Sequence, residues 1–227
     1  SSRPSGRFVD TSAAVPTVRD LRGRHALVTG ASAGIGRASA LALAARGATV
    51  TVLARNAEKL AAICGELLAE GAAEVHVLVA DLEERESLKR RVELHLAAAG
   101  PIHILVNNAG GPPGGPILEA GEADFMQAFG RLLMAPHLLV KLLLPGMKEA
   151  GYGRIVNIIS TSVREPLPNL GVSNTIRAAT AAWAKTLAKE LPPGVTINNV
   201  LPGATATERL EAIERATAAR TGKSLEE

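Results

Sequence analysis

From Arg24 onward the chain alternates between two rhythms: short runs of aliphatic and β-branched residues, and longer segments whose apolar residues recur every three to four positions. The short runs read as strands at His25–Thr29, Thr49–Leu53, Val75–Val79, Ile102–Val106, Ile155–Ile159 and Val195–Val200. The longer segments read as helices at Ile35–Arg46, Ala57–Glu70, Glu84–Ala99, about Glu122–Glu149 and Val172–Leu191, with one more near Thr207–Ala219. Gly47 and Gly71 close the first two helices. Pro136 falls inside the long helix and predicts a kink there. The stretch Gly110-Gly111-Pro112-Pro113-Gly114-Gly115-Pro116 excludes regular structure. Strands and helices alternating in this way, joined by right-handed crossovers, predict an α/β fold: a Rossmann-like, doubly wound parallel sheet with helices on both faces.

Composition narrows this reading. With 227 residues, 47% of them apolar, the chain is long enough to bury a core within one domain. Aromatic residues make up only 2%, so that core must be built from Ala, Val, Leu and Ile. Residues 1–20 are rich in Ser, Pro, Arg and Thr without periodicity and read as a flexible tail, leaving 21–227 as the domain. The net charge of +3 is spread along the chain, which argues against a nucleic-acid surface. A single cysteine, Cys64, excludes an internal disulfide and fits a packing role in a reducing compartment. No apolar run reads as a membrane span and no signal-peptide pattern opens the chain, so the cytoplasm is the expected location.

Chemistry concentrates first in Leu27-Val28-Thr29-Gly30-Ala31-Ser32-Ala33-Gly34-Ile35-Gly36-Arg37-Ala38, where a strand runs through a glycine-rich turn into a helix. Gly30 can take a positive φ, Gly34 admits a diphosphate close to the backbone, and Gly36 lets helix and strand pack closely. The free N–H groups and dipole of the helix start favour an anion. By itself such a loop is equally well a plain connection.

The spacing G-x-x-x-G-x-G with a preceding Thr resembles the first motif of the short-chain dehydrogenase/reductase family. Asn107-Asn108-Ala109-Gly110 matches its second motif, and Pro202-Gly203 followed by Thr207 its third, so the resemblance covers roughly Leu21 to Leu210. It implies a nicotinamide dinucleotide bound by Gly30, Ser32, Gly34, Ile35, Gly36, Arg55, Asp81, Leu82, Asn107, Ala109, Gly110, Arg177, Pro202, Gly203 and Thr205. Arg55 directly follows the second strand, where a fixed cation pairs with a 2′-phosphate, so NADP(H) is favoured over NAD(H). The competing reading is a solvated surface arginine, and Ala33 stands where relatives that prefer NADP often carry a second basic residue. Asp81 would accept from the adenine amino group or cap a helix. Asn107 would approach the adenosine ribose or only hold the sheet. The resemblance also implies a homo-oligomer packed through the helices Glu122–Glu149 and Val172–Leu191. The C-terminal end is short for the family.

The family reduces carbonyls with a Ser after the fifth strand, a Tyr on the next helix, a Lys four residues beyond it, and an Asn in the long preceding helix. Ser160 matches the Ser. The Tyr position falls on Ser173, the Lys position on Arg177 and the Asn position on Leu132, with Arg131 adjacent. Ser160, Ser173 and Arg177 are therefore the catalytic candidates, without the family's phenol. A serine hydroxyl is a far weaker acid, and arginine keeps its proton. Tyr152, the one tyrosine, lies in a turn before the fifth strand and reads as structural. Glu165 as a substitute acid is outweighed by a surface ion pair with Arg164, and His103 and His137 share no metal-ligand spacing.

The expected function is an NADP(H)-binding oxidoreductase with an atypical active site. It would transfer hydride to or from a small-molecule carbonyl or alcohol, in the manner of a 3-oxoacyl reductase. The alternative is a catalytically inactive dinucleotide-binding sensor or partner subunit.

Overall fold

A computed structural model describes residues 21–205. The expected tail over 1–20 and the helix near Thr207–Ala219 lie outside the described residues. The strands are β1 (His25–Thr29), β2 (Thr49–Ala54), β3 (Glu74–Val79), β4 (Ile104–Asn107), β5 (Gly153–Ile158) and β6 (Val195–Val200). They form one sheet in the order β3-β2-β1-β4-β5-β6, every pairing parallel. The helices are α1 (Gly34–Ala45), α2 (Ala57–Glu70), α3 (Arg85–Ala99), α4 (Glu122–Phe129), α5 (Ala135–Glu149) and α6 (Gly171–Leu187). This is the Rossmann-like fold expected, and the chain reverses direction across the sheet between β1 and β4, where ligands of such sheets bind.

Alternation along the strands sorts the core into two layers. Leu27, Leu53, Leu105 and Ile155 point to one face and pack with Leu88 and Val92 of α3, Leu139 and Leu143 of α5 and Ala184 of α6. Val28, Val50, Val52 and Val106 point to the other and meet Ala40 and Ala44 of α1 and Leu60, Ile63 and Leu67 of α2. The alanines let α1 sit close to the sheet, which is how a chain so poor in aromatics closes its core. Each fully buried Leu or Val contributes about 1.5–3 kcal/mol. Trp183 packs at the margin of the first layer and meets the His137 ring edge-on, 6.1 Å between centroids.

Several boundaries differ from the sequence reading. β4 starts at Ile104 instead of Ile102, because Pro101 brings no N–H and the His103 N–H is taken by the His25 carbonyl at 2.8 Å. α6 ends at Leu187 instead of Leu191; Pro192 and Pro193 follow, and the chain closes in turn bonds such as Lys189 N–H to Thr186 O. The long helix is α4, one wide π turn over Gly130–Met134, and α5. The irregularity therefore precedes Pro136, which sits in the first turn of α5, and the Leu132 carbonyl below it accepts from Thr180 Oγ1 at 3.2 Å. Contrary to expectation, the run Glu122–Glu149 has the length and apolar character of a membrane span. Its burial explains this: Ala135, Leu139, Val140, Leu143 and Met147 face the core.

The end of the sheet opposite the ligand-binding edge holds two clusters that periodicity did not reveal. The rings of His25, His76 and His95 lie 5.2–5.5 Å apart, and the Thr51 hydroxyl bridges His25 Nε2 at 2.7 Å and His95 Nε2 at 2.9 Å. One hydroxyl proton between two ring nitrogens requires one of them to donate and the other to accept. Tyr152 lies between the guanidinium groups of Arg24 and Arg154, 4.0 and 4.2 Å from its ring centre.

Candidate functional site

The glycine turn after β1 has the conformation its sequence demands. Gly30 has φ +59°, and a Cβ there would stand 2.5 Å from the Asn108 carbonyl oxygen. A Cβ on Gly36 would collide with the Gly30 carbonyl, so the helix start can lie against the turn only if this residue has no side chain. Gly34, at φ +52°, opens α1. Asn108 ties the turn to β4: its N–H donates to Thr29 Oγ1 at 2.8 Å, Thr29 Oγ1 donates to its carbonyl at 2.9 Å, and its amide reaches the Thr29 and Gly30 carbonyls at 3.3 Å.

Over this turn, along the carboxyl ends of the strands, runs a cleft of about 580 Å³, within the ordinary range for small-molecule sites. It brings together Gly30, Ser32, Gly34, Ile35, Arg55, Asp81, Leu82, Ala109, Gly110, Ser160, Ser173, Arg177, Pro202, Gly203 and Thr205. Two expected residues lie elsewhere. Gly36 acts behind the turn, and Asn107 is buried under the floor. As the last residue of its strand Asn107 points into the sheet, where its amide donates to Asn157 Oδ1 at 2.8 Å; Asn157 in turn donates to Asn199 Oδ1 at 3.0 Å. The three amides link the ends of β4, β5 and β6, and the residue that reaches the cleft is Asn108.

At the outer end, Arg55 follows β2, largely exposed, with Nη1 3.8 Å from Asp81 Oδ2. Asp81 Oδ1 accepts the Glu83 N–H at 2.9 Å, so this carboxylate both shapes the approach to α3 and faces the cleft. Lys59 also lines the cleft here, a cation the sequence reading passed over. Asn56 signals it: its side chain caps α2 by accepting the Lys59 N–H at 2.8 Å, and a residue in a first helical turn leans back toward the N-terminus.

At the inner end, α6 presents Ser173 and Arg177 one turn apart. Arg177 Nε donates to Ser173 Oγ at 3.2 Å, and its Nη1 donates to the Ile158 and Ile159 carbonyls at 3.0 and 3.1 Å. The guanidinium thereby braces α6 to the end of β5, and Ser173 is buried. Ser160 Oγ accepts the Ser162 N–H at 3.1 Å in the short turn Thr161–Val163. From the π turn Arg131 joins the wall, its Nη1 3.2 Å from Glu83 Oε1. Glu165 is exposed and does not line the cleft, and Tyr152 is at the other end of the sheet.

A family model described as short chain dehydrogenase matches residues 24–218. The chain belongs to that family. Among its short-chain dehydrogenase relatives, the 3-oxoacyl-[acyl-carrier-protein] reductase of Synechocystis is 38% identical over 195 residues, covering 84% of this chain and 78% of the relative. Ketoacyl reductase HetN of Nostoc is 35% identical over 184 residues; here 81% of this chain matches 64% of the relative's length. In structure the chain is similar to L-sorbose reductase from Gluconobacter frateurii complexed with NADPH and L-sorbose, with a TM-score of 0.84 at 28% identity over 92% of this chain and 80% of that one. The protein is thus an oxidoreductase of the short-chain dehydrogenase type.

Proposed function

We propose that this short-chain dehydrogenase binds NADP(H) in the cleft and acts on a small-molecule carbonyl or alcohol, in the manner of a 3-oxoacyl reductase. The observation that carries the cofactor reading is the pair of cations, Arg55 and Lys59, beside the N-terminus of α2 and at the end of β2. The dinucleotide also fits the turn: a diphosphate would lie where Gly30 and Gly34 carry no side chain, against the start of α1. Bound there, the nicotinamide would supply hydride chemistry.

What the chain's own residues contribute follows from their contacts. Gly30, Ser32, Gly34 and Ile35 would hold the diphosphate through backbone groups, and Arg55 with Lys59 would pair with a 2′-phosphate. Pro202, Gly203 and Thr205 form the opposite wall, tied to the inner end by the Thr161 N–H bonded to the Pro202 carbonyl at 3.1 Å. Ser160 would polarise the substrate oxygen. Ser173 and Arg177 occupy the positions where the family pattern has Tyr and Lys; they offer a hydroxyl and a fixed cation in place of a phenol. A second reading, a dinucleotide-binding sensor or partner subunit without turnover, draws its support from that same replacement.

Calorimetric titration with NADPH and, separately, NADH tests the reading. Binding with a preference for NADPH of about tenfold or more supports it, and a panel of aldehydes and ketones then separates enzyme from sensor. Failure to bind either nucleotide overturns both. We propose further that the chain self-associates through the faces of α4, α5 and α6, a reading that the exposed Met126 and Phe129 of α4 support; sedimentation checks it.

A further inference from the structure

The two hydroxyls at the inner end of the cleft are in the same electronic situation. Ser160 Oγ already accepts a backbone N–H and Ser173 Oγ already accepts from a guanidinium. Each hydroxyl has one proton to give, and among the described residues neither proton has an acceptor. Both residues line the cleft, so both hydroxyls are left to donate to a ligand that enters it. Behind Ser173, Arg177 is held in place by two carbonyl oxygens and carries a permanent charge. Arg131, paired with Glu83, stands in the same wall, and among the described lining residues the one carboxylate, Asp81, belongs to the outer end.

Such a group of residues can stabilise negative charge on oxygen but is poorly suited to quenching it. A serine hydroxyl is about as weak an acid as the alcohol formed from a simple ketone, so passing its proton to that alkoxide gains nothing. Arginine does not release a proton. An oxyanion that shares its charge with a neighbouring π system is much less basic and needs only donors and a fixed cation.

We propose that the inner end of the cleft, formed by Ser160, Ser173 and Arg177, is a subsite that holds conjugated oxyanions, namely enolates and phenolates, in their ionised form. The proposal rests on the reductase reading for its consequence, that the substrates are conjugated carbonyl compounds such as enones, which take hydride at the β-carbon and leave an enolate on the oxygen. The binding property itself belongs to this chain alone and is measured without nucleotide.

The test titrates the protein with 4-nitrophenol and 4-chlorophenol, using ultraviolet difference spectra to separate phenol from phenolate. Both probes are expected to bind as phenolates, with ionisation shifted to lower pH on the protein. Ser173→Ala and, independently, Ser160→Ala are each expected to weaken binding about 10- to 100-fold, the range for a hydrogen bond to a charged group. NADPH titration of each variant checks that the cleft still forms. Binding of the neutral phenol, phenolate binding by both alanine variants as tight as that of the natural chain, or no binding overturns the subsite. Phenolate binding with no NADPH binding leaves the subsite standing and removes the dinucleotide reading instead.

Discussion

The half of the cleft over β1, β2 and β3 is made mainly of backbone: a turn whose glycines have no room for a side chain, the starts of α1 and α2, and cations at the rim. The half over β4, β5 and β6 is made of side chains: Ser160, Ser173, Arg177 and Arg131, above a ladder of asparagine amides. A backbone site tolerates changes around it provided the glycines stay, whereas a side-chain site changes its chemistry with each substitution. A chain can therefore keep its nucleotide cradle and acquire a different reaction centre.

Breaking the first half should give the largest effect. Gly36→Val puts side-chain atoms into the Gly30 carbonyl; we expect a loss of about 1–3 kcal/mol in urea unfolding and no nucleotide binding. Acid acts from the opposite end of the sheet, through its histidines. Burial, reinforced by neighbouring His95, His76 and His103, pushes His25 down from 6.5 to about 4, and burial also lowers His95 and His103. These rings are neutral in the fold and gain protons on unfolding below 6.5. Stability is accordingly complete above that pH and falls progressively toward pH 4, on the order of a few kcal/mol in all. Urea unfolding at stepped pH checks this, and a flat profile would remove the cluster as the cause.

The second half is sharpened by Ser160→Ala, expected to lower turnover of a reducible carbonyl about 100-fold while NADPH binding holds; unchanged turnover would remove Ser160 from the reaction. Ser173→Tyr with Arg177→Lys supplies a phenol and an amine, and should raise reduction of simple ketones relative to the natural chain. The smallest effect belongs to the rim. Arg55→Ala and Lys59→Ala should each weaken NADPH about tenfold and leave NADH unchanged, read by calorimetry.

The sheet and its helices were legible because burial writes a period into the sequence, and the glycine turn was legible because no other residue fits it. Asn107 and Asn108 show where this stops. Adjacent and identical, they differ only in which way the strand turns them, so the motif could not say which one meets the cleft. Lys59 was hidden because its place in the cleft wall depends on the lean of a helical side chain. His25, His76 and His95 come from three elements and meet only through tertiary packing. Pro136 announced an irregularity, yet the wide turn lies before it, where the Leu132 carbonyl meets Thr180 of α6, a contact that local sequence does not encode.

Trp183 is the only tryptophan, six residues beyond Arg177 on α6 and so about 9 Å farther along the helix axis. Its emission overlaps the absorption band of a reduced nicotinamide and not that of an oxidised one. Under the proposed cofactor reading the molecule carries its own optical gauge: energy transfer from this indole would report, without any label, when a reduced nicotinamide fills the cleft.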